Sequence, residues 1–321
     1  MKKTFADILV DAYALIFRAY YAFIKNPRIN TKGMNTSAVF GFTNALMEVI
    51  RSEKPTHLAV VFDPPGPTLR TEQFEAYKAN RDETPEDIKL SVPWIVRILE
   101  GMRIPVLQAP GYEADDLIGC LAKRAEKEGF DVFMMTPDKD FAQLVSDKIR
   151  MFRPGRGGNP ASVWGPEEVK ERYGLERPEQ VIDLLGLMGD SADNIPGVPG
   201  VGEKTAIKFL QAYGSMEGLY EHVHELKGKM KEKVEANKEL AFLSRELATI
   251  EVDIDFADDF TAMALEPADA GPLATVLVEL EFRTLATRLL GDASTTAPAQ
   301  PASTPGAPAA PASSQQGTPP L

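Results

Sequence analysis

The sequence predicts an α/β fold: a parallel sheet flanked by helices, followed by a helical region. Short apolar runs recur in the first half, at Ile8-Leu9-Val10, Leu58-Ala59-Val60-Val61-Phe62 and Asp131-Val132-Phe133-Met134-Met135-Thr136. Helix-like segments separate them, the pattern of buried parallel strands joined by right-handed crossovers. From about residue 166 the strand signals stop and the chain reads as mostly helical to about residue 285.

The elements follow in order. Thr36 to about Ser52 is a helix, because Val39, Phe42, Leu46, Val49 and Ile50 form one apolar stripe. Residues 64–93 break the alternation with Pro64-Pro65-Gly66-Pro67, Arg70, Tyr77, Lys78, Arg81 and Pro85 and little apolar periodicity. So long a polar insertion in a compact domain is usually functional or disordered. Trp94 to Met102 reads as a helix and Ile104-Pro105-Val106-Leu107 as a strand. Glu113 to Lys127 is a helix with Leu117, Ile118 and Leu121 facing inward. From Ser294 the chain holds Ala, Pro, Ser, Thr, Gln and Gly with no charged side chain, the composition of a disordered linker assigned to 291–321.

Composition narrows the class. The 321 residues leave room for two domains and a tail. No apolar run nears the ~18 residues of a membrane helix, so no membrane partner is expected. The N-terminus lacks a long apolar stretch with a small-residue cleavage site, so no signal peptide is expected. The single cysteine, Cys120, excludes an intrachain disulfide and fits a reducing cytosol. Three scattered histidines rule out a Cys/His zinc site, and none lies in a nucleophile motif. The net charge of -12 argues against a nucleic-acid partner. Ion-binding carboxylates would account for much of it, and bound cations would offset them.

Those carboxylates sit at element ends. Asp11, Asp63, Asp138 and Asp140 follow the apolar runs, where ligand sites of open α/β sheets lie. Glu113, Asp115 and Asp116 open a helix, and Asp190 and Asp193 precede a Gly-rich turn. Taken singly, each group also suits helix-dipole complementation, an ordinary turn or N-capping. Taken together, nine carboxylates converging on one place repel unless cations sit between them. Hard oxygen donors select Mg²⁺ or Mn²⁺. Two such ions suit phosphodiester hydrolysis.

Two segments suit nucleic acid. Gly197-Val198-Pro199-Gly200-Val201-Gly202-Glu203-Lys204-Thr205 is a Gly-rich hairpin entering a helix, Ala206 to Tyr213, with Lys204 and Lys208 one turn apart. It resembles the helix–hairpin–helix phosphate clamp, whose backbone contacts ignore base sequence. A plain tight turn is the competing reading, and the Walker A spacing is absent. Tyr77-Lys78-Ala79-Asn80-Arg81 interleaves an aromatic with cations, suited to stacking on a base, or to a solvated helix face. Lys227, Lys229, Lys231 and Lys233 read as a solvated surface helix.

Together the motifs resemble the flap endonuclease family, as in the 5′→3′ exonuclease domain of bacterial DNA polymerase I, over about residues 5 to 285. The most specific stretches are Phe74 to Arg81, Pro110 to Asp116, Pro137 to Asp140 with Gln143-Leu144-Val145, and Leu187 to Gly202. The resemblance implies a PIN-like nuclease core over 1–165, a helical arch at about 67–93 and a helix–three-turn–helix DNA-binding region over 166–290. It implies one ion site at Asp11, Asp63, Glu113 and Asp115, with Asp116 near, and a second at Asp138, Asp140, Asp190 and Asp193. It assigns Tyr77, Lys78 and Arg81 to the active-site side of the arch as catalytic residues, Arg70 to its base as a DNA contact, and Arg18 to a catalytic place near the scissile phosphate. The Gly197–Gly202 turn would clamp duplex DNA around a monovalent cation, typically K⁺. The expected partner is DNA with a 5′ flap or nick, including RNA-primed ends, cut by a monomer in a bacterial cytoplasm at the nucleoid. A covalently linked polymerase domain is expected beyond Leu321. Two positions depart from the family pattern, Ala12 where Gly is usual and Asp82 where Pro is common. A PIN-like ribonuclease is one alternative, disfavoured by the long insertion and the hairpin. A non-catalytic DNA-junction module is another, disfavoured because binding alone would not retain nine carboxylates beside phosphates.

Overall fold

The computed structural model describes residues 6–155, 159–257 and 260–291; the expected linker lies outside them apart from Gly291. Strands β1 (Ala6–Asp11), β2 (His57–Val61), β3 (Val106–Leu107), β4 (Asp131–Met135), β5 (Ile149–Arg153) and β6 (Ser162–Trp164) form one sheet in the order β3-β2-β1-β4-β5-β6. All pairings are parallel except β5 with β6. The three apolar runs are the three central strands. β3 keeps only two of the four residues expected. β5 and the antiparallel β6 are additions that alternating polarity hid.

The period-2 alternation of each strand divides the core between two faces. Leu9, Ala59, Val61, Val132, Met134 and Met151 point to one side, packed with α5 (Ala114–Glu128) and the second half of the chain. Ile8, Val10, Leu58, Val60, Phe133 and Met135 point to the other. There they meet α1 (Ala12–Ala22), α2 (Ser37–Glu53) and α4 (Glu86–Gly101).

The helical arch expected over 67–93 is only partly helical. The short helix α3 (Leu69–Gln73) leads into turns, then an extended stretch, and α4 already begins at Glu86. Pro93 lies inside α4 instead of marking its start, and Ile88 and Ser91 are fully buried. An apolar stripe through Ile88, Ile95, Ile98 and Leu99 outweighs the hydrogen bond that proline cannot donate.

The second half is helical as expected: α6 (Pro166–Tyr173), α7 (Gln180–Met188), α8 (Glu203–Tyr213), α9 (Met216–Glu221), α10 (Gly228–Ala236) and α11 (Lys238–Ala248). α10 buries Val234 alone among its residues, the surface helix its lysines predicted. The boundary at 290 needs correction. α12 (Ala270–Glu279) and α13 (Arg283–Leu290) return to the first half, where Leu273 packs on Gly101 of α4 and Leu285 joins the core beside α2. A Cβ at Gly101 would come to 3.0 Å from the Leu273 backbone, so glycine permits this close helix crossing. Among the described residues no helix is long and apolar enough to cross a membrane.

Candidate active site

The central strands end side by side, and their carboxylates are tied down there. Asp11 closes β1 and caps α1: Oδ1 accepts from the Ala14 N–H (3.1 Å) and Oδ2 from the Thr136 hydroxyl (2.9 Å). Asp63 follows β2 and accepts from the Ala114 N–H at the head of α5 (2.8 Å). Asp138 caps the 3₁₀ turn Lys139–Leu144, accepting from the Asp140 N–H (3.0 Å). Thr136, hidden in the sequence as the end of an apolar run, also accepts from the Asp138 N–H (3.1 Å) and so links two of these ends.

The second half closes the site. Asp190 and Ile195 exchange both backbone hydrogen bonds (2.9 and 2.8 Å), making a loop that carries Asp190 and Asp193. Behind it Gly189 (φ +71°) and Gly197 (φ +61°) pack backbone to backbone, where any Cβ would collide with main chain. The stretch after α3 docks on this loop. Lys78 N–H donates to the Asp193 carbonyl (2.8 Å), Asn80 to the Ser191 carbonyl (2.7 Å) and Asn194 to the Ala76 carbonyl (2.6 Å).

Four protein cations thread the carboxylates. Arg70 pairs with Glu113, Asp115 and Asp116, and Lys78 with Glu113 (2.8 Å) and Asp193 (3.8 Å). Arg81 pairs with Asp193 (2.5 Å), and Lys139 bridges Asp140 (3.0 Å) and Asp190. Asp11, Asp63 and Asp138 lie outside these ion pairs. Lys139 has no role in the sequence analysis; its place between Asp138 and Asp140 was the available signal.

The electrostatics record the crowding. Burial pushes Asp11 up to about 7, with Asp63 and Asp138 adding to the shift and hydrogen bonds from Ala14 and Thr136 opposing it. Burial raises Asp140 to about 7 as well, reinforced by Asp138 and Asp190 against Lys139. Asp63 and Asp115 are raised for the same first reason. Burial alone would lower Lys78, but Glu113, Asp115 and Asp193 outweigh it and hold its ammonium charged.

These residues suit divalent cations. They offer hard oxygen donors, burial and then neighbouring carboxylates raise four of them above the ordinary range, and Asp115 Oδ1 is buried without a hydrogen-bond donor, Arg70 Nη1 lying 3.6 Å away. As the side chains stand, no three acidic, imidazole or thiol groups among the described residues form a ready cage; lysine and arginine heads occupy the spaces between them. A pH dependence follows. Asp11 and Asp140 titrate in the folded state near 7, above the ordinary 3.8, so the stability they contribute is whole below about pH 4. It is lost as pH rises through 7. In metal-free buffer Tm should fall between pH 5 and pH 8, and Mg²⁺ should raise it more at pH 8 than at pH 5. A metal-free Tm that is flat or rising across this range would contradict the crowding.

Several expected roles change. Arg70 is not a DNA contact: it is 8% exposed and donates to Glu113, to both Asp116 oxygens (2.7 and 2.6 Å) and to the Leu247 and Thr249 carbonyls (3.0 and 2.7 Å) at the end of α11. Asp116 is not an ion ligand. Besides Arg70, its oxygens accept from the Glu113 N–H (3.0 Å) and the Glu251 N–H (2.8 Å), leaving it saturated. Tyr77 cannot stack on a base, because it is 4% exposed; its hydroxyl donates to Glu113 Oε2 (2.9 Å). Arg18, on α1, donates to the Pro154 and Gly155 carbonyls after β5.

The hairpin divides likewise. Val198 and Val201 are buried, the Val198 N–H goes to the Leu187 carbonyl (2.8 Å) and the Gly197 N–H to the Ser244 hydroxyl (2.9 Å), so these side chains and N–H groups anchor the turn and do not offer donors to a phosphate. Gly200, Gly202, Lys204 and Lys208 are exposed, and Thr205 is half-buried. The Lys233 ammonium of α10 overlies Gly200.

Comparison with known proteins agrees with this architecture. Residues 7–174 match the N-terminal resolvase-like domain of the 5′-3′ exonucleases, and residues 176–271 their C-terminal SAM fold. DNA polymerase I of Bacillus subtilis is 43% identical over 289 residues, covering 89% of this chain and 32% of that protein. DNA polymerase I of Mycobacterium tuberculosis is 40% identical over 282 residues, covering 88% and 31%. The chain thus spans about a third of the length of the curated relatives it matches. The structure of T5 5′-exonuclease with bound zinc superposes with a TM-score of 0.62 at 21% identity, over 87% of this chain and 98% of that one. The catalytic core of Rad2 in complex with DNA substrate gives 0.57 at 19%, over 90% and 88%. At those identities the likeness concerns the fold.

Proposed function

Because the chain belongs to the 5′-3′ exonuclease family, we propose that it is a structure-specific 5′ nuclease hydrolysing DNA phosphodiesters at 5′ flaps and nicks, RNA-primed ends included. Primer removal, nick translation and repair are the processes such an activity serves. The observation that carries this reading is the set of hard oxygen donors Asp11, Asp63, Asp115 and Asp140, raised by burial and by neighbouring carboxylates, with Lys78 paired to Glu113 and Arg81 to Asp193.

Two divalent ions, Mg²⁺ or Mn²⁺, suit the donor set. Asp11, Asp63, Glu113 and Asp115 would hold one, and Asp138, Asp140, Asp190 and Asp193 the other. Such ions, when bound, supply a water of lowered pKa and neutralise charge on the scissile phosphate. The chain's own residues do the positioning. Tyr77, kept protonated by burial and by Glu113, fixes the Glu113 carboxylate through its hydroxyl. Lys78 and Arg81 exchange Glu113 and Asp193 for phosphate oxygens and stabilise charge that develops there. Arg18 would exchange the Pro154 and Gly155 carbonyls for an oxygen near the scissile phosphate. The exposed amides of Gly200 and Gly202, with Lys204, Thr205 and Lys208, grip duplex backbone without reading bases, and K⁺ at the hairpin carbonyls completes that grip. The relatives' length supports a polymerase joined covalently to this region, the nuclease itself acting as a monomer.

The test is cleavage of a 5′-labelled flap duplex with Mg²⁺, with and without EDTA, beside the matching single strand. Mg²⁺-dependent cutting near the junction, with the single strand much poorer, is expected. Junction binding without cutting, or preferential cutting of single-stranded RNA, would overturn the proposal.

A further inference from the structure

Two of the site's cations are locked and a third is not. Arg70 is buried among five acceptors, and Lys78 is 20% exposed with its own N–H bonded to Asp193. Lys139 is 40% exposed at its side chain and reaches inward on a flexible four-carbon stem. Its ammonium lies 3.0 Å from Asp140 Oδ1 and also contacts Asp190 Oδ2, on carboxylates only 14% and 9% exposed. The other Asp190 oxygen already accepts from the Ala192 N–H (2.8 Å), so the freer oxygen for an ion is the one Lys139 holds. Lys139 and an ion shared by Asp140 and Asp190 therefore require the same atoms and carry the same sign.

We propose that Lys139 is a built-in competitor for the second divalent ion: its ammonium holds Asp140 and Asp190 together and must withdraw to solvent before that ion binds. The inference rests on the two-ion reading above. It makes the second ion the weaker of the two, because three of its four carboxylates, Asp140, Asp190 and Asp193, already pair with Lys139, Lys78 or Arg81, against two of four, Glu113 and Asp115, at the first site. The ammonium acts on the affinity of the site and touches no substrate.

The experiment is Mn²⁺ titration by calorimetry without DNA, on the wild-type chain and on Lys139→Gln, Lys139→Met and Lys139→Arg. Removing the charge should tighten the weaker ion about tenfold, the scale of ~1.4 kcal/mol for a partly solvated pair. The tighter ion should stay within about twofold, and Lys139→Arg, which keeps the charge, should not tighten the weaker ion. If Lys139→Gln and Lys139→Met both leave the weaker ion unchanged or weaken it, Lys139 orients the carboxylates and the competition does not exist. If the wild-type chain takes up no Mn²⁺, the ion reading itself falls, and this inference with it; two ions bound with no effect of Lys139 overturns the inference alone.

Discussion

Replacing Asp138 by asparagine is expected to cut flap cleavage by on the order of 10³-fold, the scale of losing one preorganised electrostatic contact, while duplex binding persists. The amide oxygen can still accept from the Asp140 N–H, and the main-chain bond from position 138 to Thr136 is untouched, so the 3₁₀ turn should remain. What disappears is one of the three negative charges that press on each other across Asp11, Asp63 and Asp138. The same substitution should therefore raise the Tm of the metal-free protein at pH 8 while it removes activity. A lesion that merely disturbed folding would lower both. Single-turnover cleavage, a gel shift on flap DNA and a thermal melt decide it; cleavage within tenfold of wild type would sink the assignment of Asp138.

Arg70→Ala should be the most damaging single change to the fold. It would strand Asp116, 2% exposed, and leave the Leu247 and Thr249 carbonyls without their donor. Breaking a buried ion pair from one side costs about 3–5 kcal/mol. For a domain of this size that is roughly 10 °C in Tm, at ~2–4 °C per kcal/mol. Because Arg70 ties α3 to α5 and to the end of α11, the loss should also loosen the join between the two halves of the chain. Thermal denaturation at pH 7 measures it, and a Tm within 2 °C of wild type would show that the cluster is not a clasp. A DNA-contact role would instead have predicted weaker binding at unchanged stability.

The central strands were legible because a strand buried on both faces leaves a continuous apolar run, as at Leu58–Phe62, and the acidic residue ending it marks the ligand edge. The start of α4 was misread because Pro93 looks like a boundary when only local rules are applied, whereas the stripe from Ile88 to Leu99 binds it into one helix. Arg70 and Tyr77 were read as DNA contacts because their chemistry suits phosphates and bases. What reassigns them is distant chain: two of Arg70's acceptors lie 177 and 179 residues away, its carboxylate partners 43 and 46 away and Tyr77's partner 36 away, and no local pattern announces them. Asp116 shows the same limit within one helix turn, since i, i+3 spacing cannot tell a saturated capping carboxylate from an open donor. The return of α12 and α13 to the first half was hidden because a helix's apolar face says that it packs, without saying on what.

The contact of Gly189 with Gly197 has a geometric consequence. It joins the loop of Asp190 and Asp193 to the hairpin of Gly200 and Gly202 through main chain alone, with no side chain between them that could change rotamer. The span from the hairpin to the carboxylates is then a ruler whose length is a backbone dimension. If the hairpin grips duplex DNA as proposed, a duplex seated at one end would meet the carboxylates at a set number of nucleotides, whatever its sequence. The position of the cut would then belong to the architecture, and only its rate to the side chains.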